Sequence, residues 1–155
     1  MKFVTTIIIG AGQAGLAMSK HLTDRSIDHV LLERGEVANS WKTERWNSLQ
    51  LLTPNWQSRL PDYCYKGNDP DGFMNMKQLV SFLDGYAEHI DAPVHQRTTV
   101  LSVQRRFGRY IVKTSRGNWT CSSLVLANGA CSVASIPKIS ESIPTSIRQM
   151  SPLEY

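Results

Sequence analysis

Three glycines and one acidic residue early in the chain have the spacing of a nucleotide-binding site. Gly10, Gly12 and Gly15 form a G-x-G-x-x-G pattern directly after an apolar run, and a second apolar run ends at Glu33. Gly10 permits a tight turn, Gly12 lets the backbone approach a pyrophosphate, and Gly15 lets a helix and a strand pack closely. A helix that begins here directs free N–H groups and a partial positive charge at the phosphates. Glu33 can accept hydrogen bonds from an adenosine ribose, so the set predicts a bound dinucleotide.

The elements that must position these residues form a βαβ unit. The apolar β-branched run 7–9 predicts a buried parallel strand, and the run 27–32 predicts its neighbour. Because Glu33 ends the second strand, we expect its side chain to contact only the ligand. The alternative is a glycine-rich turn in an ordinary βαβ unit that binds nothing. The helix between the strands is expected to pack through one apolar face, made of Ala14, Ala17, Met18 and Leu22.

Composition excludes several other classes of function. The chain has 155 residues, of which 41% are hydrophobic and 19% charged, as is typical of one globular domain. Cys64, Cys121 and Cys131 form no C-x-x-C pair, which favours reduced thiols in a cytoplasmic protein. The histidines have no ligand spacing, so we predict no metal site. No apolar run approaches the roughly 20 residues of a membrane span, and we expect no membrane partner.

A basic cluster late in the chain accompanies the net charge of +4. Such a pattern can mark a nucleic-acid patch. The alternative is a solvated β-hairpin whose long side chains extend over an apolar sheet. We favour the hairpin and expect no nucleic-acid partner, because the local sequence is typical of strand, turn and strand. The cluster consists of Arg105, Arg106, Arg109, Lys113 and Arg116, interleaved with Phe107, Tyr110 and Trp119.

The rest of the chain predicts an irregular segment, a helix and a β-meander. Residues 35–75 lack clean periodicity but contain three tryptophans, which line the ligand site or merely cap the core. Asn75 and Gln78 resemble a capping box that opens a helix. Strands are expected at 98–105, 109–115 and 118–122 as an antiparallel meander, followed by a separate buried strand at 124–127. The apolar face of the helix is Met76, Leu79, Val80, Leu83, Ala87 and Ile90.

Several motifs occur along the chain in a fixed order. They are GAGQAG at 10–15, Glu33 with Arg34, Trp41, RWNSLQLLTP at 45–54, DGFM at 71–74, Thr99 with Val100, and ANG at 127–129. As a set they resemble the N-terminal part of the flavin-containing monooxygenases and their Baeyer–Villiger relatives. The resemblance covers essentially the whole chain. It implies an α/β fold, with a Rossmann-like FAD-binding domain and a three-stranded antiparallel meander.

This resemblance implies that the dinucleotide is FAD and gives the motifs their roles. The amides around Gln13 and Ala14 would contact the pyrophosphate, Glu33 would hold the adenosine ribose, and Val100 would meet the adenine through its backbone. Gly129 would pass close to the pyrophosphate. The candidate cofactor-binding residues are Gly10, Gly12, Gln13, Ala14, Gly15, Glu33, Arg34, Trp41, Leu52, Thr53, Val100, Ala127 and Gly129.

The flavin half of FAD carries the chemistry that the resemblance implies. Trp41, Leu52 and Thr53 would line the cofactor near this half. In such relatives NADPH reduces the flavin, oxygen adds at C4a, and the resulting hydroperoxide oxygenates a small organic substrate. The resemblance identifies no catalytic residue in this chain.

The last part of the sequence departs from the resemblance. The family's linker fingerprint aligns with residues 144–155, where Ser151 and Tyr155 match and Met150 replaces a histidine. Only one G-x-G-x-x-G is present, so we expect the NADPH site to lie outside this chain. The expected organisation is an FAD-binding domain over 1–131 and a linker over 132–155 toward an NAD(P)H-binding domain.

Three functions remain open from the sequence. The first is the FAD-binding portion of an NAD(P)H-dependent flavoprotein monooxygenase, inactive alone and either self-associating or completed by the missing domain. The second is another pyridine-nucleotide-dependent flavin oxidoreductase. The third is a non-catalytic FAD-binding module.

Overall fold

A six-stranded mixed sheet forms the centre of the molecule. The computed structural model describes residues 1–129, 133–151 and 154, so the expected boundary at 131/132, Cys131 and Tyr155 lie outside the described residues. The strands are β1 (Lys2–Ile9), β2 (His29–Leu32), β3 (Arg59–Leu60), β4 (Tyr63–Cys64), β5 (Val94–His95), β6 (Val100–Arg106), β7 (Arg109–Thr114) and β8 (Gly117–Leu126), and the helices are α1 (Gln13–Thr23), α2 (Asn39–Thr43) and α3 (Met76–His89). Two short 3-10 helices span Asn55–Gln57 and Lys138–Ser142.

The sheet has a parallel half and an antiparallel half. Within the described part of the chain the order is β5-β2-β1-β8-β7-β6. The first four strands pair in parallel, and β8, β7 and β6 pair as an antiparallel meander. The fold is therefore α/β, with a Rossmann-like start and a three-stranded meander, as the sequence predicts. Strands β3 and β4 form a separate small antiparallel sheet.

Strand β8 belongs to both halves of the sheet. The prediction of two strands at 118–122 and 124–127 was wrong, because residues 117–126 form one continuous strand. Its first part pairs with β7 from Gly117 to Cys121, and it also follows β1 from Trp119 to Leu126. The polar pair Ser122-Ser123 interrupts the apolar pattern without interrupting the backbone pairing. The end of the strand is not buried either, since Leu126 is 71% exposed.

Helix α1 packs through a face rotated from the one expected, and Leu22 of the expected face packs partly buried against the core. Ala14 and Met18 are exposed, whereas Gly15, Leu16 and Ser19 are buried. Ser19 is accommodated because its hydroxyl lies 2.8 Å from Nε2 of the buried His29 on β2. A helix face can include a serine when a partner satisfies its polar atom.

Helix α3 confirms the expected start and face. Asn75 and Gln78 form a reciprocal capping box, with each side chain accepting a hydrogen bond from the other residue's backbone N–H. Leu79, Leu83 and Ala87 are buried, and Tyr86 joins them. These side chains pack with Ile8 of β1, Leu16 of α1 and Leu31 of β2 in the larger hydrophobic cluster.

The segment 35–75 is more regular than its sequence suggests. It contains α2, a 3-10 helix and the β3–β4 hairpin. Its backbone is tied at several points, including Leu51 N to Met74 O at 2.9 Å and Asn55 N to Gly72 O at 2.8 Å. The hairpin is also tied to α1, because Lys20 donates a 2.7 Å hydrogen bond to Asp62 and so holds the pKa of that carboxyl below its ordinary value.

A smaller hydrophobic cluster covers the other face of the sheet. Val4, Ile7, Leu32, Val112, Trp119 and Cys121 form its buried part. The indole of Trp119 meets the ring of His95 edge-on, with 5.0 Å between centroids. Among the described residues, no helix is long and apolar enough to cross a membrane.

Candidate dinucleotide-binding cleft

A long cleft of about 1160 Å³ opens at the carboxyl ends of β1, β2 and β8. In open α/β sheets ligands bind at this edge, beyond the strand ends. The volume lies slightly above the roughly 300–1,000 Å³ of most ligand pockets, which leaves room for an extended dinucleotide. Lining residues come from the glycine-rich loop, the start of α1, the end of β2, α2, the β3–β4 hairpin, the start of β6 and the end of β8.

The three fingerprint glycines occupy three different environments. Gly10 has φ +106°, and a Cβ at this position would lie 2.5 Å from the carbonyl oxygen of Ala127. A Cβ on Gly15 would lie 2.0 Å from the carbonyl oxygen of Gly10, so only glycine lets α1 approach the loop this closely. Gly12 has no atom within 4 Å of its virtual Cβ, because it faces the open cleft. The first and third glycines hold the loop together, and the second leaves space for a ligand.

Helix α1 presents its N-terminus to the cleft without a side-chain cap. The N-cap residue is Gly12, which has no side chain to accept hydrogen bonds from the first turn. Gln13 and Ala14 of this turn line the cleft. Backbone N–H groups in this position, together with the helix dipole, attract an anion such as a pyrophosphate.

The carboxylate of Glu33 braces the loop as well as facing the cleft. It is 7% exposed, and Oε2 accepts a 2.9 Å hydrogen bond from the backbone N–H of Ala11. Oε1 accepts a 3.0 Å hydrogen bond from the N–H of Gly35. The expectation that Glu33 contacts only the ligand was therefore wrong. Each carboxylate oxygen can accept more than one hydrogen bond, so the side chain keeps capacity for a ribose.

Helix α2 forms the opposite wall and carries an aromatic ring. Trp41 lines the cleft, and the guanidinium of Arg45 lies 5.2 Å from the centroid of its indole. The helix begins after Ala38, a buried non-glycine residue with φ +58° whose N–H bonds to the carbonyl of Ala11. This costly backbone conformation next to the glycine loop is of the kind that persists at functional sites.

Charged side chains lie along the cleft. Arg34 forms an ion pair with Glu44, and both line the cleft. Arg45 and Arg59 also line it, and neither forms an ion pair with any described residue. Three cations and the two anions Glu33 and Glu44 leave a local excess of positive charge, which suits a ligand with a diphosphate.

Most of the candidate cofactor-binding residues come together in this cleft. Gly15 is buried behind the loop, where it serves the packing role expected of it. Leu52 is 96% exposed, and neither it nor Thr53 is among the lining residues. The lining candidates are Gly10, Gly12, Gln13, Ala14, Glu33, Arg34, Trp41, Val100, Ala127 and Gly129.

Sequence reasoning missed several lining residues. Ala38 and Glu44 enter the cleft from the two ends of α2, Arg59 from the β3–β4 hairpin, and Thr98 from the segment before β6. Arg45 was part of a recognised motif but received no role. The detectable signal was the pair of basic residues Arg45 and Arg59, since a diphosphate attracts cations. Ala38 gives no signal in the sequence, because alanine does not favour positive φ.

The described residues offer neither a metal centre nor a disulfide. No group of three His, Cys, Asp or Glu side chains among them could hold a metal ion. Cys64 is an exposed free thiol and Cys121 a buried one, and burial raises the pKa of Cys121. Within the described range, the cleft is thus a site of backbone amides, a carboxylate, arginines and one indole.

The fold and the cleft together define a dinucleotide-binding domain of the Rossmann-like class. The strand order, the uncapped helix and the acidic end of β2 all occur as this class requires. The chain belongs to the family described as pyridine nucleotide-disulphide oxidoreductase, which matches residues 7–151.

Similar proteins include oxidoreductases and monooxygenases. The chain is 33% identical over 153 residues to an uncharacterized oxidoreductase CzcO-like of Geobacillus kaustophilus, covering 98% of this chain and 43% of that protein. It is 31% identical over 140 residues to the indole-3-pyruvate monooxygenase YUCCA6 of Arabidopsis thaliana, covering 85% of this chain and 33% of that protein. The chain therefore spans less than half the length of these relatives.

A solved structure has the same fold. The flavin-containing monooxygenase from Stenotrophomonas maltophilia superposes with a TM-score of 0.77 at 24% identity, over 89% of this chain and 42% of that one. At this identity the likeness extends to the fold alone.

Proposed function

We propose that this chain is the FAD-binding portion of an NAD(P)H-dependent flavoprotein monooxygenase. One observation carries the proposal: the glycine loop, the uncapped α1 and the carboxylate of Glu33 converge on one cleft large enough for a dinucleotide. Membership of a pyridine-nucleotide oxidoreductase family supports the redox role. The monooxygenase and flavin-containing relatives support the choice of FAD and of oxygenation.

The residues of the cleft fit FAD. Gly12 leaves open space beside the first turn of α1, so its backbone and the amides of Gln13 and Ala14 would hold the pyrophosphate. Glu33 would accept hydrogen bonds from the ribose, and Val100 would meet the adenine. When bound, the flavin supplies electron transfer and reaction with oxygen. The chain itself binds and orients the cofactor.

The opposite wall would hold the rest of the cofactor. Trp41 and Arg45 form a flat, cationic surface that suits a ring system or a phosphate. Arg34 and Arg59 add positive charge along the cleft. Leu52 and Thr53 remain candidates for the flavin end, although they do not line the cleft here.

The proposed organisation places FAD in residues 1–131 and a connection in residues 132–155. Only one G-x-G-x-x-G occurs in the chain, which supports an NADPH site in another part of the protein. Binding and oxygenation of a small organic substrate would then need that part as well. The unpaired thiols of Cys64 and Cys121 support a cytoplasmic location.

Titration of the purified apo chain with FAD tests the proposal. We expect saturable binding with a changed visible spectrum, and loss of binding in Gly12→Val, whose branched side chain would enter the cleft. Ser122→Val is the matched control, since it adds the same side chain at an exposed position on β8 away from the cleft. Equal FAD affinity in wild type and Gly12→Val would contradict the site.

A second candidate is a non-catalytic FAD-binding module. It is favoured by the lining of the cleft, where backbone amides, arginines and a carboxylate account for binding a dinucleotide. NADPH oxidation by the FAD-loaded chain, measured against free FAD, tests whether this chain alone is catalytic. We expect no turnover above the free-FAD control, because hydride transfer needs the nicotinamide held at about 3–3.5 Å in an aligned pose. Turnover would show that the chain holds a nicotinamide site.

A further inference from the structure

The hairpin formed by β6 and β7 ends in an exposed phenylalanine held in an unfavourable backbone conformation. Phe107 is 103% exposed and has φ +50°, and Gly108 follows with φ +76°. Two successive residues of positive φ form the type of hairpin turn that Asn-Gly suits best. The side chain of Phe107 is not buried here, so it contributes no hydrophobic stabilisation. Its Cβ also makes the positive φ unfavourable. Folding of this chain alone therefore gives no reason for an aromatic residue at the tip.

The same hairpin concentrates the positive charge of the chain. Residues 92–140 contain no Asp or Glu, although the whole chain has a net charge of only +4. Arg106 pairs directly opposite Arg109 at the end of the hairpin, which is unfavourable for two like charges. None of the basic residues from 105 to 116 forms an ion pair with a described residue.

Two arginines at the tip lie over aromatic rings, one exposed and one partly buried. The guanidinium of Arg109 lies 5.0 Å from the ring centroid of Phe3, which is itself 54% exposed, and Arg105 lies 5.9 Å from that of Tyr110. Arg105 and Arg106 lie on the edge strand β6, where charges discourage pairing with another sheet. Edge protection explains those two positions, but not Phe107 or the charges on β7.

We propose that this hairpin tip, defined as residues 105–109, docks the protein on an anionic membrane surface. The arginines meet the lipid phosphates, and Phe107 enters the interfacial region between headgroups and acyl chains. An anionic surface also relieves the repulsion between Arg106 and Arg109. This departs from the sequence-based expectation of a merely solvated hairpin with no membrane partner.

The shape of the tip favours a membrane over the other anionic partners. Single-stranded nucleic acid binds in a groove lined by several aromatic rings that stack on successive bases. Here one ring protrudes, the guanidinium of Arg109 lies over the neighbouring ring of Phe3, and neither described cavity includes a residue of the tip. A protruding apolar side chain between arginines fits a flat, deformable surface.

Co-sedimentation of the full chain with lipid vesicles tests this proposal. We expect binding to vesicles of phosphatidylcholine mixed with phosphatidylglycerol, no binding to pure phosphatidylcholine, and release by salt. Each arginine near an anionic surface is worth about fivefold in partitioning, so R105Q/R106Q/R109Q should bind about a hundredfold more weakly. Phe107→Asn should bind several-fold more weakly while keeping every charge.

A charge-matched variant distinguishes the tip from net charge. K66Q/K77Q/R148Q removes the same charge from exposed residues outside the hairpin that form no ion pair with a described residue. We expect it to bind vesicles like the wild type. Equal loss in this control, no effect of Phe107→Asn, or no wild-type binding to anionic vesicles would each overturn the proposal. Binding of a single-stranded oligonucleotide through the same residues, without vesicle binding, would assign the tip to nucleic acid.

Discussion

Replacing Glu33 with alanine should destabilise the protein even when no cofactor is bound. The substitution removes the acceptors of two backbone donors, the buried N–H of Ala11 and the partly buried N–H of Gly35. A hydrogen bond to a charged group contributes about 1.5–3 kcal/mol, and a buried donor left without a partner incurs its desolvation penalty. Water from the cleft can replace part of the loss, so we expect a decrease of about 2–4 kcal/mol in the free energy of unfolding. Urea unfolding of the apo chain measures this decrease, and we expect the m-value to be unchanged.

The matched control for this measurement is Glu36→Ala. Glu36 is three positions further on and pairs with Lys42 and Arg97 at half-exposed positions, where an ion pair contributes at most about 1 kcal/mol. If Glu33→Ala is no more destabilising than Glu36→Ala, the brace between β2 and the glycine loop does not contribute as we argue. FAD affinity, measured where both variants are fully folded, should fall about tenfold to a hundredfold for Glu33→Ala alone.

Three further substitutions test the local structure through urea unfolding. Gly15→Ala should lower stability by about 3 kcal/mol or more, because its Cβ would lie 2.0 Å from the carbonyl oxygen of Gly10; a stable Gly15→Ala protein would mean that α1 can move away from the loop. Asn75→Ala should lower stability by about 0.5–2 kcal/mol through loss of the α3 capping box, and no change would show that water caps the helix equally well. Phe107→Asn should raise stability by about 1 kcal/mol, since Asn-Gly suits a turn with two positive φ angles and no burial is lost; a less stable variant would show that Phe107 packs in the free protein.

The features predicted correctly from the sequence depend on short stretches of chain. The glycine spacing, the two apolar runs and the acid at the end of the second are within about thirty residues, which suffices for a βαβ unit. The capping box of α3 needs only Asn75 and Gln78, three residues apart, and its geometry follows directly. In local patterns of this kind, the spacing of the residues itself determines which groups come into contact.

The features that were missed depend on contacts between distant segments. Ser19 breaks the apolar periodicity of α1, yet it is buried because His29 lies opposite. Glu33 accepts hydrogen bonds from the loop because β1 and β2 are neighbours, which fixes Ala11 beside it. The continuity of β8 was hidden by Ser122-Ser123, whose polarity suggested a break between two strands. None of these pairings is visible in a one-dimensional pattern.

The residues of the candidate site also divide into those predicted from local patterns and those placed by contacts between distant segments. Most of the predicted lining residues lie in the glycine loop or at the ends of parallel strands, which must bring them together. Trp41 on α2 and Val100 on β6 were implied by the resemblance alone. Thr98 reaches the cleft just before β6, where its N–H bonds to the carbonyl of Glu33. Glu44 and Arg59 reach it from the end of α2 and from the β3–β4 hairpin, so their approach depends on how the segment 35–75 folds back. Its backbone ties to Met74 and Gly72 decide that path.

The place of β8 in the sheet has a consequence for synthesis on the ribosome. Strand β1 emerges first, but one of its two neighbours is β8, with Lys2 opposite Trp119 and Ile9 opposite Leu126. At about 5–20 residues per second, roughly a hundred further residues take on the order of 5–20 s to appear. During that time one edge of an isoleucine-rich strand has no partner, and such an edge is prone to pair with another chain. Nascent chains of this protein should therefore need a chaperone more than their modest length suggests. Refolding of the purified chain should likewise need slow dilution.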